Sequence, residues 1–422
     1  MYLAALTGFK ARHVAFALAL ALALALVLLL VRAAADSRFA SAPPYPPSDY
    51  LQEMILDWST FGRGAPGSDN WATTWAADGN LYTTWGDGGG FGPNAVNRAY
   101  VSIGIARLTG STVTTLRGQN MIGGLEPLVG RCFPRLGGRS DNRKFMRRTV
   151  PCLADGLHGK SWSILALGDR LHLFVAPGAL MEELYDEGRL YSSKQGDLAE
   201  WTEAPWAFTA EDTPRLLSPM FAQAGRDNAA ADHVYAYATR YASVGYVDRR
   251  MPGHVRTGGF GLRRGFLAGR EIHLLRAARD ADLMRRDAWE FFAKESAEGA
   301  PVWSRRQADS RPVFVDRRGV SWLSSAVFAE ALGRWLLITE HGARSSAGRI
   351  GVFEAPHPWG PWRTVFYGTL ASPGKGVPAT AFYANFLPNS LGSDGRFTLV
   401  FTGNDVNDAL NAVEGRFIIP ER

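Results

Sequence analysis

From residue 50 onward, apolar and polar positions recur as hairpins: an aromatic-rich run, a Gly-containing turn, then a second apolar run. The clearest pairs residues 71–75 with 81–85 across Ala77-Asp78-Gly79-Asn80. Asp-Gly between two apolar runs is the strongest short-range hairpin signal a sequence offers. The same unit returns at 162–167 with 171–175, at Met220 with 234–239, at 322–331 with 335–339, and at 385–391 with 397–402. Further strand-like runs at 201–208, 303–315, 350–354 and 364–367 read as outer strands added to these hairpins. Four-stranded units repeating about five times predict an all-β chain, a five-bladed β-propeller over residues 53–420. One stretch, 280–294, departs from the pattern. Its Leu283, Ala288, Phe291 and Phe292 fall at helical spacing and predict a short helix on the rim.

The N-terminus is of another kind. Lys10, Arg12 and His13 precede an unbroken apolar run at 14–31, and Ala33-Ala34-Ala35 follows as a segment that signal peptidase would accept. Residues 1–35 therefore read as a signal peptide or a signal anchor in the inner membrane; the run is long for the first and short for the second. With the cations on the N-terminal flank, both readings place the rest of the chain outside the cytoplasm, periplasmic or secreted. Residues 36–52, with their Pro43-Pro44-Tyr45-Pro46-Pro47 run, read as a stiff linker.

Composition agrees with a folded β protein. In 422 residues there are 13 Trp, 23 Phe and 13 Tyr, with 46 Gly and 23 Pro to make turns. The formal net charge of +6 is mild for this length, and no long basic run marks a nucleic-acid binder. Cys132 and Cys152 bracket a loop rich in Gly and Arg. In an oxidising compartment they are candidates for a disulfide that pins it. No His cluster lies near them for a zinc site, nor an activating base for a nucleophile, and no cofactor is expected.

Propeller chemistry sits where the inner strands open at one end of the channel. With the first turn centred on Asp78-Gly79, Asp69 comes opposite the segment from Asp87 to Gly89. A three-residue loop with a Gly bulge sets Asp69 and Asp87 on one face, and a strict two-residue loop sets them on opposite faces. Two carboxylates at one mouth are the minimum apparatus for glycoside hydrolysis, one protonated to release the leaving oxygen, the other ionised to activate water or attack the sugar. The plainer alternative is that Asp69 caps a turn and Asp87 opens a Gly-rich loop. The same register nominates Trp71, Lys160, Trp162, Arg240, Glu340, Asn385 and Asn404 as groups that meet a sugar: indole for a ring face, amides and cations for hydroxyls. Glu340 is also a possible replacement for either aspartate.

The segment 68–88, Ser-Asp-Asn-Trp-Ala-Thr-Thr-Trp through Trp85-Gly86-Asp87-Gly88, resembles the opening motif of the DUF4185 family of bacterial extracytoplasmic proteins. Trp289-Glu290-Phe291-Phe292, Gly360-Pro361-Trp362 and Tyr383-Ala384-Asn385-Phe386 carry the resemblance on, over roughly residues 55–418. It implies a five-bladed propeller. It also implies kinship with endo-D-arabinanases, which cut α-linked D-arabinofuranose polymers, with Asp69 and Asp87 at the positions of their catalytic pair. The leading expectation is thus an extracytoplasmic glycoside hydrolase acting on an arabinofuranose-containing or other envelope glycan. The runner-up is a glycan-binding propeller without catalysis. A sialidase is disfavoured, because Ser393-Asp394-Gly395 does not match the aspartate box of that class.

Overall fold

The first strand, β1 (Glu53–Gly64), finds its partner at the far end of the chain. It pairs antiparallel with β21 (Leu410–Ile418), which continues through β20 (Arg396–Gly403) to β19 (Ala381–Phe386). Pairing β1 with the last three strands in one sheet closes the ring, with β1 as the outer edge strand of that sheet. The computed structural model describes residues 42–86, 88–92, 103–123, 160–176, 187–209, 211–241, 269–341, 349–370, 381–403 and 408–420. Residues 14–31, Asp87, Cys132, Cys152 and Asn404 lie outside them.

Two further four-stranded sheets follow in chain order. One holds β2 (Thr73–Trp75), β3 (Leu81–Trp85), β4 (Gly104–Thr109) and β5 (Arg117–Ile122). The next holds β6 (Lys160–Leu167), β7 (Arg170–Ala176), β8 (Glu187–Lys194) and β9 (Asp197–Thr209). A nine-stranded sheet joins two successive antiparallel runs. These are β10 (Pro219–Ala224), β11 (His233–Thr239), β12 (Gly269–Ala278), β13 (Glu290–Glu295) and β14 (Pro301–Ser304), then β15 (Pro312–Ala329), β16 (Arg334–His341), β17 (Arg349–Ala355) and β18 (Arg363–Thr369). The runs meet where β10 lies parallel to β15, Ala222 beside Ala326.

The architecture is that of a β-propeller. The first strands β2, β6, β10, β15 and β19 surround one narrow cavity of about 20 Å³, room for roughly one water. β10 and β19 are buried at every position, as a strand must be when enclosed on both faces. Aromatic side chains fill the spaces between neighbouring sheets. Phe174 on β7 meets Phe208 on β9, Phe221 on β10 and Trp289, with ring centroids 4.7–6.2 Å apart.

Each hairpin read from the sequence is present, although the first strand of the fifth, read at 385–391, is Ala381–Phe386, and the run 303–315, read as an outer strand, is divided between β14 and the inner strand β15. Two further expectations change. Residues 280–294 hold a single 3-10 turn, Arg286–Ala288, followed by β13, and not a helix. Phe291 packs with Phe208 on one side of the sheet and Phe292 with Trp303 on the other, and only a strand sends adjacent side chains to opposite faces. The expected linker is docked from Tyr45 onward. Pro47 bridges to Thr364, Ser48 donates to Glu354 at 2.7 Å, and the Tyr45 ring sits 5.0 Å from that of Phe314. Partial burial of Tyr45 and full burial of Leu51 hold what proline content alone would leave extended.

Candidate functional site

The first hairpin closes as a three-residue loop. Ala76 N–H donates to the Asn80 carbonyl at 2.9 Å, and Gly79 takes φ 86°, the left-handed value a Gly bulge requires. Thr73 therefore faces Thr83. A second irregularity lies toward the mouth. Asn70 adopts φ 60°, and Asp69 pairs with Gly86 through backbone bonds of 2.9 and 2.8 Å. Asn70, Trp71 and Ala72 thus oppose only Thr84 and Trp85, a bulge that re-aims the end of the strand. Asp69 comes opposite Gly86, one residue earlier than turn position alone predicts.

Residues 88–91, which follow Asp87 in the chain, are held closely. Gly88 packs against Gly67 and Ser68 so tightly that a Cβ there would lie 2.3 Å from the Gly67 carbonyl oxygen. Ser68 Oγ accepts from Gly90 N–H at 2.9 Å, and Trp85 Nε1 donates to the Gly88 carbonyl at 3.0 Å. Asn120 clamps the rest, accepting from Phe91 N–H at 2.9 Å and donating to the carbonyls of Gly89 and Phe91.

Asp69 is buried and ion-paired across sheets. Lys160, the first residue of β6, places Nζ 3.2 and 3.4 Å from its two carboxylate oxygens. Their side chains are only 12% and 11% exposed. Burying two charges is tolerated because each compensates the other.

A second group of predicted residues converges on Tyr383, which the sequence reading did not select. It stands in the left-handed region (φ 49°) within a register shift of β19. Its N–H donates to Glu340 Oε1 at 2.8 Å, and its hydroxyl donates to the Trp162 carbonyl at 2.6 Å. Asn385 Nδ2 donates to the Trp71 carbonyl at 3.2 Å and to that of Tyr383 at 3.3 Å. Burial pushes the Tyr383 phenol well above its ordinary range, so it acts as a fixed donor. The sequence held a signal, since Tyr383-Ala384-Asn385-Phe386 is one of the stretches that carry the resemblance. A buried hydroxyl reaching 221 residues back along the chain is not readable from it.

Two roles need correction. Trp71 and Trp162, expected to offer ring faces to a sugar, are 0% and 1% exposed. Trp71 stacks on Trp85 with centroids 6.1 Å apart, and an enclosed indole has no face left for a ligand. Their backbone carbonyls, not their rings, join the polar group. Arg240 is exposed and joins none of these contacts. It pairs with Glu271 at 2.7 Å, and Glu271 in turn lies 3.6 Å from His273. Among the described residues, no three His, Cys, Asp or Glu side chains gather as metal ligands.

No protein-family model matches the chain, and no curated protein does. Among solved structures, a Bacteroides ovatus protein is similar over 88% of this chain and 97% of its own, at 12% identity and a TM-score of 0.46. The α-L-arabinofuranosidase of Podospora anserina in complex with cellotriose covers 88% and 98%, at 8% identity and a TM-score of 0.44. A GH43_1 enzyme from Xanthomonas citri covers 84% and 89%, at 13% and 0.40. Likenesses this distant assign neither substrate nor chemistry to this chain.

Proposed function

We propose that the chain is a five-bladed β-propeller of the DUF4185 kind, acting outside the cytoplasm as a glycoside hydrolase on an arabinofuranose-containing or other envelope glycan. The blade count is supported by treating the nine-stranded sheet as two blades joined through β10 and β15. The observation that carries the function is the buried, ion-paired Asp69, whose backbone partner Gly86 is followed in the chain by Asp87. In this reading Asp69, held as an anion by Lys160, is the base or nucleophile, and Asp87 is the acid that protonates the leaving oxygen. Glu340 and Tyr383 support the same end of the channel through β19.

A glycan-binding propeller without catalysis is the second reading, because an aspartate tied to a lysine can also serve structure alone. Product release from D-arabinan and other envelope glycans separates the two. Wild type is expected to release oligosaccharides, while Asp69→Asn and Asp87→Asn bind glycan and release at least about a hundredfold less. A wild type that binds but releases nothing refutes the hydrolase. A carboxylate separation of about 5 Å in a crystal structure would indicate retention, and about 6.5–9.5 Å inversion.

A further inference from the structure

A second cleft lies at the other end of the hairpin that supplies Lys160. It opens beside the turn between β6 and β7, against β9 and the segment joining β12 to β13, with a volume of about 500 Å³. Lys160 starts β6 and Leu167 ends it, so the two places are roughly 23 Å apart along the strand. None of the residues of the candidate catalytic site lines this cleft.

Its walls combine opposite charges with neutral groups: Asp169, Arg170, His172, Thr202 and Asp282. Leu167 and Leu283 add an aliphatic floor. Asp169 and Asp282 are exposed, and the Asp169 carboxylate has no protein partner among the described residues. Asp282 uses one oxygen to accept from Met284 N–H at 3.0 Å, leaving the other. Arg170 donates Nε to Ser192 at 2.8 Å, leaving the far edge of its guanidinium for the cleft. His172 is 5% exposed, and its Nδ1 is buried without a hydrogen-bond partner among the described residues.

Burial, aided by Arg170, pushes the His172 imidazole down to about 4, which leaves it neutral near pH 7. No protein bond to Nδ1 fixes the tautomer, so the ring can meet a ligand as donor or acceptor. Carboxylates that accept, a guanidinium that donates and an imidazole that does either suit hydroxyl groups, which also do both. Two carboxylates against one guanidinium, with the imidazole neutral, leave the lining mildly negative, which disfavours a phosphate, while the guanidinium and imidazole suit a hydroxylated ligand better than a simple cation. A cleft of this volume accommodates one or two sugar rings.

We infer that this cleft is a saccharide-binding site, separate from the Asp69–Lys160 mouth and independent of whether that mouth is catalytic. It would hold a glycan chain on the opposite end of the propeller.

The test is calorimetric titration of the full chain carrying Asp69→Asn, which prevents turnover, with an α-D-arabinofuranose tetrasaccharide, xylotetraose and cellotetraose. Inorganic phosphate and a diamine serve as controls. At least one tetrasaccharide is expected to bind, and adding Asp169→Asn with Asp282→Asn is expected to weaken it at least about tenfold. Both side chains are exposed, so the circular-dichroism melt should not move. Thr202→Val is expected to give a smaller loss. The inference is overturned if no tetrasaccharide binds, if the double replacement changes affinity less than twofold, or if phosphate or the diamine competes at the cleft. Failure of wild type to release product would sink the hydrolase and leave this result standing.

Discussion

Replacing Gly88 with alanine probes the closest contact near the proposed carboxylate pair. The new Cβ would lie 2.3 Å from the Gly67 carbonyl oxygen, 2.3 Å from Ser68 Oγ and 2.7 Å from the Gly67 carbonyl carbon. Ordinary contact begins at 3.4 Å, so the segment bearing Asp69 and the segment bearing Gly88 must part by about 1 Å. Backbone atoms cannot rotate aside as a side chain would. Overpacking of this kind costs about 1–3 kcal/mol. The Ser68 bond to Gly90 is also disturbed, which puts the expectation near the upper end, about 3 kcal/mol. For a chain this long that corresponds to a melting temperature lower by roughly 3–4 °C. A shift of about 1 Å in a reacting group can cost on the order of a hundredfold in rate. The assay is a thermal melt beside glycan release at fixed substrate. Gly196→Ala is the control, because nothing lies within 4 Å of a Cβ there. Gly88→Ala with an unchanged melt and release within twofold of wild type would refute the close packing, and with it the geometry argued for the mouth.

Asn120→Ala removes three hydrogen bonds that hold residues 89–91, and is expected to cost about 2–3 kcal/mol in urea unfolding and to lower glycan release; an unchanged midpoint contradicts the clamp. Tyr383→Phe removes a buried hydrogen bond to the Trp162 carbonyl, for a loss of about 1–2 kcal/mol, read by the same unfolding assay. Burial pushes His172, His273 and His341 down to about 4, below the value of about 6.5 in an unfolded chain. Between about pH 6.5 and 4 the unfolded state binds protons that the folded state does not, so stability falls with pH. The slope is on the order of 1.4 kcal/mol per pH unit for each histidine. A melting temperature independent of pH between 6.5 and 5, above the range where most carboxylates titrate, would refute the burial of these rings.

The hairpins were legible in the sequence because turns are local chemistry. Gly79 and Gly333 stand in left-handed conformations that few other residues accept, and alternating apolar runs on either side must then fold back. Strand order within each unit followed from the same adjacency. The candidate site was half legible. Asp69 announced itself by its motif, but its partner Lys160 lies 91 residues away, and Tyr383 bonds to Glu340 and Trp162 in two other sheets. Periodicity misread Phe291 and Phe292, whose opposite faces were settled by Phe208 and Trp303 on separate strands. Turn position placed Asp69 one residue out of register, because the bulge at Asn70 is held by a bond from its N–H to Thr402 on β20, 332 residues on. The register likewise marked Trp71 and Trp162 as sugar platforms, whereas enclosure by neighbouring sheets makes them core. A few adjacent residues decide where this chain turns. Burial, register and ion pairing depend on which distant segments close over a residue, and only the assembled propeller supplies those.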